Sequence, residues 1–129
     1  MKRELFDEII IHLNEELTQE GQSSDRKTQI EAQLLAFRFL PHREFLEADH
    51  IVPTSVVEIE QQGERKITFW VLIVPSLGGW VSTYKGKPLQ ILTVSSPLGT
   101  ALLGSKKGEE IKLETYRSEE RRYKILSHF

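Results

Sequence analysis

The chain has 129 residues and a formal net charge of −2, with 28% charged and 39% hydrophobic side chains, the balance of one ordinary globular domain or a small domain with a helical appendage. It has no cysteine, which excludes a disulfide framework, a thiol nucleophile, a cysteine zinc site and an iron–sulfur cluster. No apolar run approaches the roughly 18–20 residues of a membrane span, and acids at Glu4, Asp7 and Glu8 stand where a signal peptide is apolar, so the chain reads as cytoplasmic with no membrane partner.

The charge is unevenly placed. Residues 1–50 carry a net −5 and residues 51–129 a net +3. An acidic front and a mildly basic back suggest two structural parts, neither basic enough to bind free nucleic acid strongly.

Residues 3–18 predict a helix, with Leu5, Ile9, Leu13 and Leu17 recurring every four residues, Phe6 and Ile10 beside them, and Ile11 and His12 off the stripe and exposed. Gln19 to Asp25 has one glycine and no large apolar side chain, so the helix stops there. Ser24 or Asp25 is placed to cap a second helix over about 26–40, with Ile30, Leu34 and Phe37 as its stripe and Pro41 as its stop. Two such helices joined by a short turn read as an antiparallel hairpin. Residues 41–55 are linker-like, and after them the hydrophobic period becomes two.

Strands are expected at Val57–Glu60, Ile67–Val74, Val81–Tyr84, Leu89–Val94, Ile111–Thr115 and Tyr123–Leu126, with turns at Gln61–Glu64 and Lys85–Pro88. Ile67–Val74 is apolar on both faces, as a central strand is. Between strands, Ser96-Pro97-Leu98-Gly99-Thr100-Ala101-Leu102-Leu103-Gly104 reads as a complete short helix. Ser96 is its N-cap, Pro97 takes the first position, Leu98, Ala101 and Leu102 form one buried face, and Gly104 ends it in a left-handed conformation. The fold class is therefore α+β: a helical hairpin over residues 1–41, then a domain over 42–129 with an antiparallel sheet and one short helix.

Few residues suggest chemistry by type alone. His42, Glu44, Asp49 and His50 are close enough in sequence to ligate a metal, although a polar linker gathers such residues without one. Lys106, Lys107, Arg121 and Arg122 are a candidate basic patch or a plain solvated surface. Trp70 and Trp80 read as core or cleft aromatics. No Ser-His-Asp order, phosphate-binding glycine loop or metalloprotease helix is present in the sequence.

The run from Ser96 to Gly104, continued by Ser105-Lys106-Lys107-Gly108-Glu109-Glu110-Ile111, resembles the signature of the GreA/GreB transcript-cleavage factors. Thr54–Glu60, Trp70–Pro75, Gly78-Gly79 and Leu89–Val94 are similar to the same family's C-terminal domain, so the resemblance spans about residues 38–129. It implies an FKBP-like sheet domain that docks on the rim of the secondary channel of bacterial RNA polymerase. It also implies an N-terminal coiled coil that enters the channel, where tip acids help hold a magnesium ion at the polymerase active site. Such a protein is an accessory factor, not an enzyme; it holds no cofactor or metal of its own and meets nucleic acid only through the polymerase. The docking surface implied here is Thr93, Ser95, Ser96, Pro97 and Leu98, with Ser95 standing where the family often has an acid or an amide.

The hairpin departs from that pattern. Helices of about 15–17 residues reach only ~25 Å, and only Glu20 and Asp25 flank the turn, beside Arg26 and Lys27. The resemblance therefore implies a channel-binding regulator without cleavage stimulation. The alternatives are an active cleavage factor with a short hairpin and, from another class, an FKBP-like prolyl isomerase or chaperone domain.

Overall fold

The computed structural model describes residues 2–41, 43–114, 117 and 119–129. It divides into two compact units, Met1–Arg43 and Glu44–Phe129. Among the described residues no helix is long and apolar enough to cross a membrane.

The first unit is a pair of antiparallel helices, α1 (Lys2–Leu17) and α2 (Ser24–Phe39). The predicted stripe is the buried one: Leu5, Phe6, Ile9 and Leu13 on α1, with Ile30 and Phe37 on α2. Phe6 meets Phe37 edge to face at a centroid distance of 5.9 Å. Near the turn the Arg26 guanidinium pairs with the Glu16 carboxylate at 2.7 Å. Ile11 is exposed as expected, but His12 is half-buried.

The cap of α2 differs from the expectation. Ser23, not Ser24 or Asp25, has extended backbone, and its Oγ accepts the Arg26 N–H at 3.1 Å. Gly21, at φ +81°, reverses the chain early enough for α2 to begin at Ser24. Ser23→Ala is thus expected to cost about 1 kcal/mol, while Ser24→Ala costs a few tenths at most. Urea melts of the two variants check this.

The second unit is built on a six-stranded sheet. Its strands are β1 (Val56–Gln61), β2 (Ile67–Val74), β3 (Trp80–Tyr84), β4 (Lys87–Thr93), β5 (Glu110–Glu114) and β6 (Glu120–His128), with the helix α3 (Pro97–Leu102) between β4 and β5. The spatial order is β3-β4-β2-β1-β6-β5. Neighbours are antiparallel except β2 and β4, which run parallel. The sheet is thus mostly antiparallel, as expected, with this one parallel pair that the sequence did not reveal. The chain leaves β2, skips one strand's width and lays down β3 first. The two-residue turn Lys85-Gly86, both at positive φ, then folds β4 back into the gap in the direction of β2.

One face of the sheet carries Val57, Ile59, Phe69, Val71, Ile73, Tyr123 and Ile125, which pack with Leu102 of α3 into one core. These positions alternate along their strands, so the period of two read from the sequence places them together. On the opposite face Trp70 meets Tyr84 and Phe129 edge to face at 5.5 and 5.7 Å, and Lys87 pairs with Glu58 at 2.7 Å. Trp70 is therefore a buried core aromatic, and Trp80 is half-buried with its indole N–H donated to the Leu77 carbonyl.

Residues 44–55 are not a free linker. Ile51 is 1% exposed. Its N–H donates to the Ser105 carbonyl and its carbonyl accepts from Gly104, both at 2.8 Å. His50 Nδ1 lies 2.7 Å from the Gly104 carbonyl. The segment is a strap across the exit of α3, and its polar sequence concealed one apolar anchor. The last strand is also longer than the apolar pattern suggested, since Glu120–Arg122 join it through exposed positions paired to β5.

Candidate functional site

The corner between β4 and α3 is held by hydrogen bonds that its own sequence supplies. Ser96 caps α3: its Oγ accepts the Gly99 N–H at 3.0 Å and donates to the Thr93 carbonyl at 2.9 Å. The Ser96 N–H donates to the same carbonyl at 3.1 Å. Thr100 Oγ1 donates to the Val94 carbonyl at 3.0 Å, and the Thr93 and Ser95 hydroxyls lie 3.1 Å apart. Pro97 occupies the first turn of α3, where its missing N–H is not needed.

Two glycines, Gly78 and Gly99, lie close against Thr93. A Cβ at Gly78 would lie 2.6 Å from the Thr93 nitrogen. One at Gly99 would collide with the Thr93 carbonyl oxygen and lie 2.7 Å from Ser96 Oγ. No local pattern marks Gly99; the approach of α3 to β4 makes it obligatory. Gly104 takes φ +84° and ends the helix as expected.

The corner presents Ser95 and Pro97 to solvent, with Thr93, Ser96 and Leu98 partly covered. All five residues singled out in the sequence are thus contiguous on one short path. Beside them lies a groove of about 420 Å³ whose apolar wall includes Phe69, Leu92, Leu98, Leu113 and Tyr123, with Arg121 at its edge. Phe69 and Tyr123 sit edge to face at 6.2 Å and form the floor. The apolar residues of β2 and β6 were legible in the sequence, but the lining is assembled from β1, β2, β4, β5 and β6 together with α3.

The other candidates do not assemble. Glu20 and Asp25 are both exposed at the hairpin turn. His42 lies outside the described residues, and among those described no group of three His, Asp or Glu side chains could hold a metal ion. The four basic residues do not form one patch. Lys107 pairs with Glu47 and Arg122 with Glu120. Arg121 and Arg122 are successive positions of β6 and so face opposite sides of the sheet.

Comparison with known proteins is informative at the family level. The chain is similar at 23% identity to the GreA factor homolog 1 (Gfh1) of Thermus thermophilus, covering 99% of this chain and 87% of that one, with a TM-score of 0.47. It is 22% identical to Gfh1 of Thermus aquaticus, over 98% and 86% of the two chains with a TM-score of 0.47. It is also 22% identical to a GreA/GreB elongation factor of Nitrosomonas europaea, over 96% and 93% with a TM-score of 0.46. No curated protein gives a significant match. The model of the family described as "Transcription elongation factor, GreA/GreB, C-term" matches residues 46–127, which take in all of the sheet but the last residue of β6, the cap at Ser96 and the groove beside it. On that match over more than half its length, the chain belongs to the GreA/GreB family of transcription elongation factors.

Proposed function

We propose that this protein is an accessory factor of RNA polymerase that docks at the secondary-channel rim through Thr93, Ser95, Ser96, Pro97 and Leu98, and that it does not stimulate transcript cleavage. It acts in the cytoplasm and meets nucleic acid only within the polymerase complex. The observation that carries the reading is the β4–α3 corner. It is an exposed proline on a backbone held by hydrogen bonds and two close glycine contacts, next to an apolar groove. A preorganised surface of this kind binds with little ordering cost. The two domains of the proposed factor are the hairpin over residues 1–41 and the docking domain over 42–129.

The hairpin supports the second half of the reading. Each helix has 16 residues, a length of about 24 Å at 1.5 Å per residue. Magnesium coordination operates at about 2.0–2.1 Å, so a carboxylate left several ångströms short contributes nothing specific. Glu20 and Asp25 are exposed beside a glycine at positive φ, and holding both at fixed positions on a metal would cost ordering entropy.

Pro97→Asp is expected to weaken co-purification with core polymerase at least tenfold while leaving the fold intact, because aspartate also starts helices. Unchanged capture of a folded variant would refute the docking surface. In stalled, backtracked complexes the wild-type protein is expected to release no short RNA 3′ fragments above background. Glu20→Ala with Asp25→Ala is expected to change its effect on transcription little. Fragment release by the wild type that disappears in the double variant would instead establish the active-cleavage reading. No observation favours a prolyl isomerase.

A further inference from the structure

α2 is apolar on two sides. Ile30 and Phe37 are buried, yet Leu35 and Phe39 are 55% and 76% exposed on the opposite side. At 100° per residue, Ala32, Leu35 and Phe39 share one outward face, and Glu31 and Arg38 run along its flank. Glu31, Leu34, Leu35 and Arg38 line a shallow depression of about 280 Å³. Neither the Glu31 carboxylate nor the Arg38 guanidinium has an ion-pair or hydrogen-bond partner among the described residues.

We infer that this face is a homodimer interface, in which α2 packs antiparallel on α2 of a second copy around a two-fold axis at Leu35. The argument is self-complementarity. A two-fold axis perpendicular to antiparallel helices keeps each flank on its own side and reverses the order of residues along it. On one flank it sets Glu31 opposite the second copy's Arg38, and Arg38 opposite its Glu31. On the other flank it sets the Phe39 ring over the small side chain of Ala32, twice. Leu35 meets Leu35 on the axis. Each flank pairing is centred half a residue from Leu35, about 0.75 Å along the helix, so the two flanks differ by about 1.5 Å. One register therefore satisfies both charges and fits the largest exposed side chain against the smallest. A partner of different sequence would not require this internal symmetry.

A single helix pair buries less than the ~1,200 Å² of a standard stable interface, so the dimer is expected to be reversible, with a dissociation constant in the micromolar range. The test is sedimentation velocity of the full chain from about 1 to 500 µM in low and moderate salt. Wild type is expected to pass from monomer to dimer, more weakly at higher salt. Glu31→Arg alone, or Arg38→Glu alone, turns two attractions into two repulsions and is expected to weaken the dimer at least tenfold. The double variant carrying both changes restores the pairing and is expected to recover wild-type association. Phe39→Ser, at a largely exposed site, supplies a second disrupting variant, and circular dichroism confirms the fold of each. Monomer at every concentration, or a dimer that the single reversals do not weaken and the double variant does not restore, would overturn the inference.

Discussion

Replacing Gly99 with alanine is expected to destabilise the sheet domain by about 2–3 kcal/mol, although alanine at an unencumbered helix position stabilises by about 1 kcal/mol over glycine. The sign reverses because of the neighbours. The added methyl would strike the Thr93 carbonyl oxygen and crowd Ser96 Oγ, the two atoms that tie the cap of α3 to the end of β4. Both obstructing groups are fixed: one is backbone and the other is engaged in two hydrogen bonds. Overpacking of this kind costs about 1–3 kcal/mol, and displacing the cap adds about 1 kcal/mol. Gly104→Ala is the control. Its Cβ would meet nothing, so only the left-handed backbone penalty of about 1–2 kcal/mol applies. Urea denaturation monitored by tryptophan emission reports both. Polymerase capture is expected to fall for Gly99→Ala and to persist for Gly104→Ala, because only the first moves Pro97.

His128→Ala is expected to be the more damaging change, at about 3–4 kcal/mol. The ring is 1% exposed. Its Nδ1 lies 3.1 Å from the Asp49 carbonyl, which can only accept, so the proton sits on Nδ1. Nε2 then accepts from the Ser55 hydroxyl at 2.7 Å, and Ser55 Oγ in turn accepts the Val52 N–H at 3.0 Å. Phe45 stacks on the ring at 5.5 Å. Deleting the imidazole leaves a cavity and strands a buried hydroxyl, which by itself costs about 1–3 kcal/mol. Ser55→Ala is expected to cost less. A double-mutant cycle between the two is expected to show a coupling of at least ~0.5 kcal/mol, since they share one hydrogen bond. Amide exchange at Val52 and Ser55 is expected to accelerate in His128→Ala before exchange in β2 does, because the ring joins the strap of residues 46–55 to β6.

That strap shows where local reading stops. Asp49 and His50 suggested a polar linker with a chance of metal binding, because the segment's local bonds, Leu46 N–H to Asp49 Oδ2 and Val52 N–H to Ser55 Oγ, do not reveal what it packs on. That is decided more than fifty residues away in sequence, by Gly104 for His50, Ser105 for Ile51, and His128 for Asp49 and Ser55. The cap of α2 is a smaller case: Ser23, Ser24 and Asp25 are all capping residue types, and backbone conformation, extended at Ser23, decides which one caps.

What the amino-acid sequence determined by itself is whatever depends on neighbours a few residues apart. The stripes of α1 and α2, the alternation of β1, the apolar run of β2, and the complete punctuation of α3 from Ser96 to Gly104 all belong to that class. The five residues of the proposed docking corner came from the family resemblance, not from local pattern; what the pattern supplied was the capped turn on which Ser96, Pro97 and Leu98 sit. Tertiary structure alone decided the parallel pairing of β2 with β4, the obligation on Gly99, the groove floored by Phe69 and Tyr123, and the function of His128 as a clasp. Hydrophobic period states which face of a strand is buried but not which strand lies beside it. That choice rests on contacts between segments distant in sequence, whose energy no local pattern encodes.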